Sequence, residues 1–309
     1  MSYSEIKSFE SRAKLMVSGE YLVLKGALSL ALPLKFSQIL TVATREGKSM
    51  IDWKSMIHNK IWFFAKLCLT DFQIIESNIP AISETLGNIL MAARKLNPNF
   101  LRVPQDLLVT SAMDFDPGWG IGSSSSLISN IAYWAACDPF ELNRLIFNGS
   151  GYDIACTRSA TPIIYEVTKD QPSCREANFH PLFHHQLYFV YLNRKQNSKD
   201  TIRRLDLSMV TTEQIDTISE LTLGLEQAPD LGTFQLLMER HEEIVGKIIN
   251  KDSVKSSDFI DFDGSLKSLG AWGGDFILAA SSASEEYVRN YFTNKGLTTF
   301  FKYNEIVLA

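Results

Sequence analysis

Cysteine is scarce and scattered. Cys68, Cys137, Cys156 and Cys174 form no Cys-x-x-Cys pair and no dense framework, which excludes a disulfide-stapled scaffold. They read as reduced thiols of a cytoplasmic protein. Positive charge is in the minority, 30 Lys and Arg against 35 Asp and Glu for a net charge of −5, so the chain carries no electrostatic footprint for nucleic acid. Any anionic ligand must meet a local positive site. No charge-free apolar run reaches the roughly 18 residues that a membrane span needs. The first dozen residues mix Glu5, Lys7, Glu10 and Arg12 with serines and offer no apolar core for a signal peptide. Glycine (17) and proline (10) are modest and 45% of residues are hydrophobic, a composition that excludes disordered and collagen-like chains. At roughly 150 residues per domain, 309 residues favour two domains.

Short apolar runs at 14–17, 21–24 and 28–34 read as strand, turn, strand, with a further strand over 39–43. Residues 53–69 place Ile57, Ile61, Phe64, Ala65 and Cys68 at three- and four-residue spacing, which predicts an amphipathic helix. Ile82, Leu86, Ile89, Leu90 and Ala93 repeat that spacing and predict a second helix, stopped by Asn97-Pro98. Later elements alternate: a strand over 186–192, a helix opening near Ser198, helices over 212–226 and 230–250, a strand over 276–280, a helix over 284–294 and a strand over 297–301. Thr211 with Gln214 three positions on reads as a capping box. A change of character near residue 170, where Pro, His and polar residues gather, marks the expected domain junction. The pattern is that of a mixed α+β two-domain enzyme.

The strongest chemical signal is PGWGIGSSSS over 117–126, between a strand candidate at 107–111 and a helix whose apolar face begins at Leu127. Glycines let backbone amides approach a ligand closely, and a helix N-terminus behind them presents free amides and the positive end of a dipole to phosphate. The four serines add donors and one candidate metal ligand. Other phosphate loops fit worse. Gly47-Lys48-Ser49 lacks the upstream glycine of a Walker A motif, since Val42 stands there. Gly118, Gly120 and Gly122 are spaced two and two rather than as Gly-x-Gly-x-x-Gly. Asp275-Phe276 is followed by Ile277, and the chain has no His-Arg-Asp, which excludes a protein-kinase reading.

A second signal is GYDIA over 151–155, an acidic residue among small ones. A carboxylate beside a phosphate site can take a proton from an attacking hydroxyl or hold Mg²⁺. His184-His185 and His241-Glu242-Glu243 lack metal-ligand spacing and a third partner; they read as surface or core histidines.

Three ordered motifs, KLMVSGEYLVLKG (14–26), PGWGIGSSSS (117–126) and GAWGGDF (270–276), resemble those of the GHMP kinase superfamily of galacto-, homoserine, mevalonate and phosphomevalonate kinases. The pentapeptide at 151–155 spells the name of one subgroup, the GYDIA family. The resemblance runs essentially end to end. It implies an α+β fold with an N-terminal ribosomal protein S5 domain 2-like domain (1–170), a C-terminal ferredoxin-like domain (171–309), and ATP with Mg²⁺ bound between them. It further implies that Pro117, Gly118, Gly120, Ile121, Gly122, Ser123, Ser124 and Ser125 hold the nucleotide, that Ser124 reaches Mg²⁺, and that Asp153 is the base on the substrate hydroxyl.

Lys14 matches the first-motif lysine near the transferring phosphoryl. Such a cation keeps the carboxylate ionised and stabilises growing negative charge. Glu141 matches the second Mg²⁺ ligand, and Glu20 the substrate end of the cleft. Lys195, Ser198, Lys199 and Gly273 complete the expected substrate-binding set. The third motif departs from the family in carrying Trp272 and Asp275 where small residues are usual. The implied activity is phosphoryl transfer from ATP to an alcohol or phosphate acceptor, most readily a hydroxyl of a small anionic alcohol. Mevalonate is the first choice and phosphomevalonate the second, ahead of a diphosphomevalonate decarboxylase and a nucleotide-binding pseudokinase. Neither nucleic acid nor membrane is expected as a partner, and the sequence leaves the oligomeric state open.

Overall fold

In a computed structural model of the chain, the described residues are 5–168, 172–194, 207–270, 272 and 274–308. They divide into two compact units, 1–13 with 36–117 and 122–158, and 14–35 with 118–121 and 159–309. The division falls inside strands β1 (Glu5–Ser18) and β2 (Ser29–Arg45), so neither unit is one continuous stretch. The expected junction near residue 170 lies at 169–171, outside the described residues, as does the helix expected from Ser198.

The first unit is a sheet backed by helices. Its strands β3 (Met50–Ile57), β4 (Lys60–Cys68), β5 (Ile74–Ser77) and β6 (Asp106–Met113) line up with β2 in the order β5-β4-β3-β6-β2. The β3–β6 pair is parallel and its neighbours are antiparallel. Helices α1 (Pro80–Leu96), α2 (Ser123–Trp134) and α3 (Pro139–Phe147) and the short α4 (Tyr152–Cys156) supply Leu86, Ile128, Leu142 and Ile154 to a core shared with Trp53 and Phe63.

The helix expected over 53–69 is instead the β3–β4 hairpin. Its buried residues alternate, with Ile51, Trp53 and Ser55 on one strand and Phe63, Ala65 and Leu67 on the other, the two-residue period of a half-buried strand. The two turn residues His58 and Asn59 both have positive φ, 46° and 64°, the backbone of a type I′ hairpin turn. The three- and four-residue spacing was a coincidence of Ile57, Ile61 and Phe64, none of which is buried. The strand expected over 21–24 is likewise a 3-10 turn (Leu22–Lys25), entered through Tyr21 at φ 61° and closed by Gly26 at φ 91°. The separate strands expected over 28–34 and 39–43 are one, β2.

The second unit carries strands β7 (Ile163–Glu166) and β8 (Ser173–Glu176), β7 pairing with residues 29–31 of β2. Its other sheet is formed by β9 (Leu187–Tyr191), β10 (Ser265–Ser268), β11 (Phe276–Ala280) and β12 (Phe300–Lys302), antiparallel in the order β10-β11-β9-β12. Helices α5 (Thr212–Glu226), α6 (Leu231–Ile249), α7 (Val254–Asp258), α8 (Glu285–Asn294) and α9 (Tyr303–Ile306) accompany it. Thr211 and Gln214 form the expected capping box of α5, and Asp230 caps α6 by accepting from the Thr233 amide. Among the described residues no helix is long and apolar enough to cross a membrane, and none of the four cysteines is joined in a disulfide.

Candidate functional site

The sequence-predicted residues divide between the two units. In the first, Gly122 adopts a left-handed conformation (φ 101°) that turns the chain into α2, a backbone that a side chain would oppose. Four serines follow, and they behave differently. Ser125 and Ser126 are buried and both donate their hydroxyls back to the Gly122 carbonyl, at 3.0 and 2.9 Å. Ser123 is half-buried and Ser124 exposed, so these two hydroxyls stand at the opening of the helix beside amides that have no partner one turn earlier.

A buried polar network fixes this helix start. The Ser126 hydroxyl donates to Gln38 Oε1 (2.6 Å), whose Nε2 donates to Ser111 Oγ (2.6 Å). Asn130 Nδ2 donates to the Gln38 carbonyl, and the Ser11 hydroxyl to Asn130 Oδ1. The first turn of α2 is thereby tied to β1, β2 and β6.

Asp153 lies in the first turn of α4, behind Gly151 at φ 89°. The neighbouring Ile154 and Cys156 are buried and anchor the turn, while Asp153 is half-buried. Glu141 sits in the first turn of α3, capped by Asp138, and is exposed. Its carboxylate meets Arg144 at 2.7 Å, and that hydrogen bond holds its pKa below the usual carboxylate range. Mg²⁺ takes one or two hard oxygen ligands from a protein and fills its shell with water and phosphate. An exposed serine hydroxyl and an exposed carboxylate are donors of that kind; among the described residues no group of three His, Cys, Asp or Glu forms a metal cage.

In the second unit, Lys14 is buried and its amide donates to the Ile121 carbonyl at 2.8 Å. The Tyr191 hydroxyl donates to the Gly118 carbonyl at 3.1 Å. Trp119 packs among Tyr191, Phe276 and Phe301, with ring centroids 5.5–6.4 Å apart. Gly120 has φ 71°, and a Cβ built on it would run into the carboxylate of Asp275. The third-motif aspartate is therefore packed against the second motif's middle glycine, 5% exposed, its amide donating to the Arg194 carbonyl. That close approach, together with the positive φ, disfavours a side chain at position 120.

Glu20 is 1% exposed and its Oε1 accepts from Lys267 Nζ at 2.5 Å. Its Oε2 lies 3.3 Å from His241 Nε2, which itself accepts from the Gly19 amide. Burial raises the Glu20 pKa against the opposing pull of Lys267. Burial, reinforced by Lys267, drives His241 well below the usual histidine range, so the ring is neutral and its Nε2 is an acceptor. Glu242, 4.0 Å from Lys267, is raised to about 8 by burial, a shift that Lys267 opposes and Glu20 reinforces.

Sequence reasoning overlooked Lys267 and weighed Glu242 only within a rejected metal motif. The signal for His241 is there in retrospect: Phe234, Met238, His241, Val245 and Ile249 form the buried stripe of α6, and a histidine in such a stripe is a core residue. A cavity of about 780 Å³ runs along α6 and α7, with Glu242, Lys247, Lys251 and Lys255 in its walls; it includes none of the predicted residues. Lys195, Ser198, Lys199 and Gly273 lie outside the described residues.

The whole architecture has close counterparts among solved structures. The mevalonate kinase of Methanococcus jannaschii superposes with a TM-score of 0.69 at 15% identity, covering 99% of each chain. The phosphomevalonate kinase of Streptococcus pneumoniae, in complex with phosphomevalonate and AMPPNP, gives 0.69 at 16% identity over 96% of this chain and 99% of that one. The galactokinase of Lactococcus lactis, complexed with galactose, gives 0.66 at 11% over 99% and 94%. The chain has the GHMP-kinase fold. No protein-family model and no curated protein matches the sequence. At these identities the GHMP-kinase likeness is one of fold, carried through both chains nearly end to end.

Proposed function

We propose that the protein is an ATP-dependent small-molecule kinase with an alcohol or phosphate acceptor, mevalonate (through its hydroxyl) being the first choice and phosphomevalonate (through its phosphate) the second. The observation that carries this reading is the start of α2 in a chain of GHMP-kinase fold. A left-handed Gly122 opens the helix, and Ser123 and Ser124 stand free of the hydrogen bonds that turn Ser125 and Ser126 inward. Free amides, two hydroxyls and a helix dipole suit the phosphates of a nucleotide.

In this reading the segment 117–125 cradles the phosphates. Asp153 accepts the proton of the acceptor hydroxyl, whose oxygen then attacks the γ-phosphorus, the bond to the β-phosphate oxygen breaks and ADP leaves. Lys14 stabilises the negative charge that grows on the transferred group. Ser124 and Glu141 are the residues that would hold Mg²⁺, which would supply neutralisation of the phosphate charge. Glu141 must release Arg144 to serve. Glu20, Lys195, Ser198, Lys199 and Gly273 remain the proposed substrate-side residues; for Glu20 this requires the acceptor to reach a carboxylate already engaged by Lys267.

The test is an ADP-release assay with mevalonate, phosphomevalonate, galactose and homoserine in parallel. Turnover with mevalonate or phosphomevalonate supports the reading. A parallel reaction with carboxyl-labelled diphosphomevalonate that releases CO₂ would move the protein to the decarboxylase branch, and ATP binding without turnover on any of these compounds would make it a pseudokinase.

A further inference from the structure

The turn formed by Ser18, Gly19, Glu20 and Tyr21 is gripped by side chains from three elements of its own unit. From α5, Thr222 accepts the Ser18 hydroxyl at 2.9 Å. From α6, neutral His241 accepts the Gly19 amide at 3.2 Å. From β10, Lys267 donates to Glu20 at 2.5 Å and to the Ser268 carbonyl at 3.1 Å. The fourth residue passes the grip on: the Tyr21 hydroxyl accepts the amide of Trp272, at 3.0 Å, in the third glycine-rich motif. Tyr21 holds φ 61° and ψ −44°, a conformation that a bulky L-residue adopts only when its surroundings impose it.

Stability alone does not explain such a cluster. Lys267 is fully buried and Glu20 and Glu242 are 1% and 2% exposed. Taking an ion pair out of water costs about as much as the pair returns, and apolar residues of the same size often serve a core better. What the ion pair supplies is direction: a short, charge-assisted bond permits one placement of Glu20.

We infer that Lys267 is a positioning residue: through Glu20 it fixes the strained turn after Lys14, and through the Tyr21 hydroxyl it sets the backbone of the third motif at Trp272. This rests on the kinase reading for its catalytic consequence and on the hydrogen bonds alone for its structural one. The two are separated by the readout.

Three variants test it: Lys267→Met, the charge-free pair Glu20→Gln with Lys267→Met, and Tyr21→Phe, which removes the acceptor of the Trp272 amide and leaves the ions in place. Thermal melting, hydrogen exchange at the Trp272 amide, and kcat and KM are measured on each. Lys267→Met leaves a buried carboxylate unpaired and is expected to melt early; the charge-free pair recovers most of the melting temperature. The expected result is that this pair and Tyr21→Phe both exchange the Trp272 amide at least about tenfold faster than the parent, with kcat lowered by about tenfold or more, as small misplacements of catalytic groups do. A charge-free pair with parental exchange and parental kcat would reduce Lys267 to a structural residue and overturn the inference. Faster exchange with unchanged kcat would overturn its catalytic half. Should the parent phosphorylate none of the acceptors, the kinase reading falls, and exchange at Trp272 still decides the positioning claim.

Discussion

Lys267 Nζ and Glu20 Oε1 meet at 2.5 Å with both side chains sealed from water, joining a strand near the C-terminus to the first motif across 247 residues of sequence. One ammonium serves two buried carboxylates there, since Glu242 lies 4.0 Å from the same nitrogen.

That arithmetic gives a pH dependence. Glu242 has a folded pKa of about 8 against an ordinary value of 4.5, so between these values the folded state holds a proton that the unfolded state releases. Its contribution to stability is fully present below about pH 4.5, declines as pH rises, and is gone above about 8. Denaturant unfolding of Glu242→Gln compared with the parent across pH 5–8 isolates this term. The parent should lose stability relative to the variant as pH rises, with a slope of at most about 1.4 kcal/mol per unit. Parallel curves would mean that Glu242 is ionised throughout.

Gly120→Ala should be costly on two counts. The left-handed backbone at φ 71° opposes a β-carbon by roughly 1–2 kcal/mol, and the Asp275 carboxylate occupies its place. Adding Asp275→Ala relieves the second and leaves the first. Chemical denaturation of the single and double variants should therefore show partial recovery; full recovery would mean that backbone conformation contributes nothing, and none that the carboxylate moves aside freely.

The serines of α2 separate stability from function. Ser126→Ala strips a buried bond from Gln38 and should cost about 1–3 kcal/mol in urea unfolding. Ser124 is exposed, so Ser124→Ala should leave stability within about 0.5 kcal/mol and raise the Mg²⁺ concentration needed for half-maximal turnover. Equal effects of the two substitutions on unfolding would contradict the division of roles.

How far the sequence spoke depended on the range of the interaction. Local grammar was readable: the capping box of Thr211 and Gln214, the Asn97-Pro98 stop and the glycine turn into α2 all depend on neighbours a few positions apart. The β3–β4 hairpin was misread because three apolar residues on its less buried positions happened to mimic a helix, while the turn at His58 and Asn59 lacks the Asn-Gly signature. Motif resemblance nominated Lys14, Ser124 and Asp153 as candidates, but nothing local announces that a lysine in Ser-Leu-Lys-Ser would be buried or that Asp275 would pack on Gly120. Those relationships are set by strand pairing and helix packing more than a hundred residues apart.

The most direct measurement is ADP release with mevalonate, whose acceptor is a hydroxyl, by the parent and by Asp153→Asn, alongside equilibrium binding of ATP to both. A proton acceptor acts in the transition state, so the variant should lose about 10²–10⁴-fold in kcat while binding ATP as the parent does. Near-parental turnover by Asp153→Asn would contradict the assignment of Asp153 as the base.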